Sequence, residues 1–286
     1  AAALRFFWLF HTHVTEGHKW IRTAFEMSAG ASSQVRSKLL NGLGVGARIQ
    51  GDYETANVMH SQALAASHSS GDKWEIALSH RGLGAVASRQ GDYAAAQKHF
   101  EKTLEISRKI DDMSEIGYSL GSLGNLARAK GENVIARELL DQSLATFRHL
   151  GQTERVITNL LALGHLAISE GNLPSARPLF EEALLLAQQL KDRIHISDLL
   201  DGNAAIASED NPELSATIAG AADQMRRSIG YEPAPAERRF REEYIGRLKA
   251  KLNEALFADL YERGLLMKPE NTIALVIDHD LQLQHK

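Results

Sequence analysis

Apolar and small residues return along this chain at two nested intervals. The short interval is three to four residues, as in Leu43 and Ala47 or Ala56, His60 and Leu64, which draws one apolar stripe along a helix. The long interval is 40 residues. Leu43-Gly44 returns as Leu83-Gly84, Leu123-Gly124 and Leu163-Gly164, each followed by Ala47, Ala87, Ala127 or Ala167. Gly51, Gly91, Gly131 and Gly171 come next, then Ala56, Ala96, Ala136 and Ala176, then His60, Phe100, Leu140 and Phe180. Each of these glycines precedes Asp, Glu or Asn, a pair that stops one helix and caps the next. A second break falls midway, at Gly71-Asp72, Asp111-Asp112, Gly151-Gln152 and Lys191-Asp192. The spacing predicts two helices of roughly 17 residues per repeat, each about 25 Å long. Small Gly and Ala positions let the two approach closely.

The predicted architecture is all-α: a superhelical solenoid of antiparallel helix pairs. Full repeats are expected near 32–70, 72–110, 112–150 and 152–190. A degenerate first pair occupies 3–30, with its turn near Thr15-Glu16-Gly17. A fifth unit occupies 192–229, with a short second helix entered at Asn211-Pro212. The linker YEPAPAE then leads into closing helices and a tail over 231–286. The chain opens inside a helix-like pattern, which suggests a piece of something longer.

Composition narrows the function. Charged residues make up 24% of the 286, the net charge is −4 and the pI about 6.3. Phosphate binding leaves a basic footprint, so direct nucleic-acid binding is not expected. There is no cysteine, which removes disulfides, thiolate metal sites and cysteine nucleophiles, and fits a cytoplasmic home. No apolar run approaches the roughly 20 residues that cross a bilayer, so no membrane partner is expected.

The repeated residues resemble the tetratricopeptide repeat, whose pattern is L-G-x-x-Y, then A-x-x-x-F, then proline. Leu83-Gly84 with Ala96 and Phe100, and Leu163-Gly164 with Ala176 and Phe180, match it. Alanine replaces the tyrosine four times, and the closing proline is missing. The segments FFWLFHTHVTEGHKWIRTAF and GAADQMRRSIG, with the tail after them, are similar to the repeat region of bacterial ATPase-coupled transcriptional regulators of the LuxR and STAND type. That second resemblance implies a sensor arm, with ATPase and output modules elsewhere as intramolecular partners.

Several stretches look like chemistry. GYSLG, from Gly117, spells the serine-hydrolase elbow around Ser119, but the elbow needs a strand, a sharp turn and a helix, and here the pattern is helical. GLGVGARIQGD, from Gly42, has Asp52 where a phosphate loop needs lysine. His11 and His13 point to different sides of a helix, and the twelve histidines form no H-E-x-x-H pair. Phe6, Phe7, Trp8 and Phe10 are expected to fill the core of the first pair. No catalytic residue, metal or cofactor is expected.

The tetratricopeptide resemblance implies that the first helix of each pair lines a concave groove. Its geometry selects Lys38, Asn41 and Arg48, then Arg81, Ser88 and Arg89, then Tyr118, Asn125 and Arg128. Thr158, Leu161 and His165 follow, then Asp198 and Asp201. Cations gather in the first three repeats and carboxylates in the fifth. Arginine forks suit carboxylate or phosphate groups, and asparagine can bond a peptide backbone. A solvated helix face is the plainer account of the same charges. The function expected is a non-enzymatic scaffold whose groove takes an acidic protein segment or a small effector. A spacer or self-association module is the rival, and hydrolysis through Ser119 the weakest alternative.

Overall fold

The structure is a computed structural model that describes residues 14–233, 235–268 and 271–277. Those residues form helices and their connections, with no strand among them. The helices are α1 Val14–Glu26, α2 Ser33–Ile49, α3 Tyr53–Ser70, α4 Lys73–Gln90, α5 Tyr93–Lys109, α6 Met113–Lys130 and α7 Asn133–His149. They continue as α8 Thr153–Ser169, α9 Leu173–Leu190, α10 Arg193–Asp210, α11 Pro212–Ile229, α12 Pro235–Lys251 and α13 Glu254–Leu265. Residues 271–277 are also helical. The chain divides into two compact units, Ala1–Lys130 and Gly131–Lys286.

In the first unit α2 pairs with α3 and α4 with α5, and successive pairs stack through α3 on α4 and α5 on α6. In the second, α7 packs on α8, α8 on α9, α9 on α10 and α10 on α11, with α12 and α13 against α11. Gly51, Gly91, Gly131 and Gly171 all lie at bends with φ between 73° and 81°, in the left-handed region glycine occupies without a Cβ penalty. Asp52, Asp92 and Asn172 then cap the following helices by accepting from the amide three residues on, at 3.0–3.2 Å. At the midway bends Gly71 and Gly151 take the same conformation, while Asp111 and Lys191 take it without being glycine, at φ 53° and 55°.

Two expectations about the ends change. The turn near Thr15-Glu16-Gly17 is absent: α1 runs through it from Val14 to Glu26. A single glycine costs a helix only about 1 kcal/mol, and Ile21 anchors this one in a cluster with Leu39 and Leu43. The second helix of the fifth unit is not short, since α11 has 18 residues, with Asn211 capping and Pro212 in the first turn. Phe6, Phe7, Trp8, Phe10, His11 and His13 lie outside the described residues.

The repeat is held at two depths. Ala56, Ala96, Ala136 and Ala176 are each 0% exposed, so within each unit the small side chain brings the second helix close to its packing partner. Above them sits one large side chain per repeat. Phe180 is also 0% exposed, and a Cβ built on Gly164 would stand 2.6 Å from its ring, one on Gly202 only 2.2 Å. The ring is therefore held between α8 and α10, and the absent side chains are what make room for it.

Near the start of the repeats a polar ladder runs alongside. Asp72 caps α4 through Oδ1, accepting from the Glu75 amide at 3.1 Å, while its Oδ2 accepts from Gln34 of α2 at 3.0 Å. One repeat on, Asp112 accepts from the Glu115 amide at 3.0 Å and from Trp74 Nε1 at 2.9 Å.

Candidate functional site

The face to which α2, α4 and α6 contribute carries most of the residues singled out from the sequence. Asn41, 4% exposed, is at the centre of a closed network. Its amide nitrogen donates to Glu75 Oε2 at 2.9 Å and to Ser79 Oγ at 3.0 Å. With its nitrogen donating, its carbonyl oxygen accepts from His60 Nδ1 at 3.0 Å. That places the imidazole proton on Nδ1 and leaves Nε2 bare, and buried Nε2 has no hydrogen-bond partner. His60 stays neutral: burial, then the charges of Arg48 and Arg81, push its pKa down to about 3. Its ring fills the space left by two glycines, since a Cβ would stand 2.6 Å from it on Gly44 and 2.3 Å on Gly82. The GLG stretch at Gly42 is thus a packing surface for His60.

Arg81 is likewise committed. Its Nη1 donates to Glu115 Oε1 at 2.5 Å, and its guanidinium lies over the Tyr118 ring at 5.0 Å. Tyr118 meets Phe100 edge-on at 6.3 Å. Asn125 spends its amide on the Gly121 carbonyl of its own helix at 3.1 Å. Lys38 is half-buried; burial pushes the Asp72 carboxyl up, but the hydrogen bonds from Gln34 and the Glu75 amide, and then the Lys38 charge, bring it below its ordinary value. Arg128 is also half-buried, in the last turn of α6.

Arg48 and Arg89 differ from these. They stand in the last turns of α2 and α4, half-buried, with no ion pair or hydrogen bond among the described residues. Burial lowers the Arg48 pKa, and the charges of Arg89 and Arg81 lower it further, against opposition from Tyr118 and Tyr53. Two guanidinium groups near enough for the charge of one to bear on the other, with no ion pair among the described residues, attract an anion.

His165, Asp198 and Asp201 lie in the interior of the second unit. His165 is 2% exposed and sits between aromatic rings, Phe180 at 5.6 Å and Phe240 of α12 at 4.2 Å. Asp201, 5% exposed, ties three helices together. It accepts from Arg226 of α11 at 2.5 Å and from the Tyr244 hydroxyl of α12 at 2.5 Å, with Arg241 Nε at 3.4 Å. A carboxylate this deep needs such partners to remain charged. Burial pushes the Tyr244 hydroxyl pKa up, and the Asp201 charge pushes it further. Burial also raises the neighbouring Asp198 carboxyl to about 7. There the Tyr231 hydroxyl, donating at 2.9 Å, and Arg226 oppose the rise, while Asp201 and Glu237 add to it. The carboxylates of the fifth repeat are therefore consumed by α11, α12 and the linker between them.

Ser119 is 0% exposed in mid-α6, and the whole GYSLG pentapeptide is helical, so no nucleophile elbow exists there. Among the described residues no group of three or more His, Asp or Glu could hold a metal ion. None of the described helices is long and apolar enough to cross a membrane.

Stacked helix pairs with a lateral polar face define a helical-repeat scaffold. Residues 35–109 match the family model for the tetratricopeptide repeat. No curated protein matches the chain in sequence. Among solved structures, the Rap protein complexed with Competence and Sporulation Factor aligns with TM-score 0.72 at 12% identity, covering 95% of this chain and 74% of that one. The apo form of RapI aligns with TM-score 0.60 at 12% identity, covering 99% and 97%. BtubC (BKLC) from P. vanneervenii aligns with TM-score 0.59 at 18% identity, covering 78% and 93%. Identities this low show the fold alone: a tetratricopeptide-like helical-repeat scaffold.

Proposed function

We propose that this chain is a non-catalytic binding arm, and that the α2–α4–α6 face takes an acidic protein segment or a small carboxylated effector. The observation that carries the reading is the pair Arg48 and Arg89, half-buried cations with no carboxylate partner among the described residues. Arg81 beside them is already neutralised by Glu115, so the pair is where an incoming anion gains most. A carboxylate would remove the mutual repulsion and accept from both guanidinium forks. That a scaffold of this shape can hold a factor is supported by the Rap neighbour, solved with one bound. By the likeness to bacterial ATPase-coupled regulators, occupancy would bias how the arm meets an ATPase or output module, which requires the ligand to prefer one arrangement.

The test is a double charge reversal, Arg48→Glu with Arg89→Glu, probed against an array of acidic peptides with neutral peptides as the control. The variant should keep the wild-type helical circular dichroism and bind the acidic set at least about tenfold more weakly, since charge-assisted hydrogen bonds contribute roughly 1.5–3 kcal/mol each. Equal binding by wild type and variant would leave the spacer reading standing instead.

A further inference from the structure

The second repeat carries a pair of histidines where its neighbours carry hydrocarbon. His80 of α4 and His99 of α5 face each other with their Nδ1 atoms 3.0 Å apart and ring centroids 5.2 Å apart. One period back the same two positions hold Leu40 and Met59. One and two periods on they hold Leu120 with Leu139 and Leu160 with Leu179. Leu40, Leu120 and Leu160 are all buried, so the position is an apolar contact between the helices of a pair. Two imidazoles there give up hydrophobic stabilisation that every other full repeat keeps.

From this geometry we infer that His80 and His99 form a two-histidine site for a divalent transition-metal ion, bridging α4 and α5. A metal–nitrogen bond is about 2.0–2.1 Å, so two nitrogens on one ion lie about 2.9 Å apart at a right angle and about 3.3 Å apart at the tetrahedral angle. The hydrogen-bonded spacing lies within a few tenths of an ångström of both, so the two nitrogens can meet one divalent ion such as nickel(II) with little movement. Both rings are neutral at pH 7: burial lowers His80 to about 4 and lowers His99 as well, with each environment's cations adding to the effect. In the free protein one Nδ1 donates its proton to the other. On binding, that proton moves to Nε2 of the same ring and both Nδ1 lone pairs turn to the ion, with no net proton released. His68, at the end of α3, is near enough for its charge to bear on His80, but among the described residues no third side chain joins the pair in metal-ligating geometry. Lys98 and Lys102 also face the pair electrostatically, but both side chains are exposed and can turn their charges into water. The remaining coordination positions belong to water.

The test uses the whole chain and nickel(II) chloride, read by thermal shift and equilibrium dialysis. Wild type should melt at least about 2 °C higher in roughly 100 µM nickel and retain one ion per chain at this site. The variant His80→Leu with His99→Leu copies the Leu120–Leu139 repeat, so it should melt no lower than wild type without metal and show no nickel response. His99→Gln, which preserves polarity, should weaken nickel binding at least tenfold. No response in wild type, or an undiminished response in the double-leucine variant, would overturn the inference, the latter placing the ion on other histidines.

Discussion

Gly202→Ala adds one methyl group to a helix interior, a change that on propensity alone should stabilise α10 by about 1 kcal/mol. The packing predicts the opposite. The new Cβ would stand 2.2 Å from Phe180 Cε1, so the ring must retreat by more than 1 Å. It has no room to retreat, because it is 0% exposed and Gly164 already brings α8 within a Cβ length of its other side. Overpacking of this kind costs about 1–3 kcal/mol, and a clash this close belongs at the upper end, leaving a net loss of about 2 kcal/mol. The preceding period supplies the remedy, for it places Leu140 of the third repeat and Ala162 of the fourth where the next period has Phe180 and Gly202. Phe180→Leu alone should cost about 1–2 kcal/mol through the cavity it leaves. Combined with Gly202→Ala it should cost no more than that, giving a coupling energy of at least about 1.5 kcal/mol. Urea unfolding of the four proteins, followed by circular dichroism, measures the cycle. A neutral or stabilising Gly202→Ala, or additive effects, would refute the wedge.

Three further outcomes follow from the same structure. Asp198 titrates near 7 when folded against an ordinary 3.8, so the folded state holds an extra proton between those values. The stability this proton gives is complete below about pH 3.8 and is lost as pH rises through 7. Asp198→Asn, which can still accept from Tyr231, should therefore gain on wild type as pH rises, by on the order of 2–4 kcal/mol at pH 8, seen as a widening gap in urea midpoints from pH 5 upward. Lys191→Gly should raise the melting point, by about 1 kcal/mol in stability, because it relieves a left-handed backbone that Gly71 and Gly151 occupy freely; Asp111→Gly should gain less, since Asp tolerates that region better. Tyr244→Phe removes a donor to a buried carboxylate and should destabilise by about 1.5–3 kcal/mol, measured by chemical denaturation.

The architecture was legible because it is written in repetition: a 40-residue step in glycine and alanine fixes where helices bend and where they touch. The candidate face was legible only in part. Family geometry places Asn41 beside the groove, but that Glu75 and Ser79 of the next pair saturate its amide depends on how the pairs stack. Asp201 is answered by Tyr244, 43 residues away, and His165 is covered by Phe240, neither of which falls in the repeat register. His60 was aligned with the core phenylalanines, and it is core, yet its polarity also anchors Asn41. The His80–His99 pair did leave a trace in the sequence. Reading down the columns of the repeat shows two imidazoles among leucines, a contrast that a scan for metal motifs along the chain does not detect.

Asp72 and Asp112 each perform two duties, starting their own helix with one oxygen and gripping the preceding repeat with the other. Fraying at the start of α4 or α6 thus releases a neighbour's side chain, and loosening the neighbour removes a restraint on the cap. Local order and inter-repeat adhesion become one event, so the first unit should melt as a block instead of peeling away hairpin by hairpin.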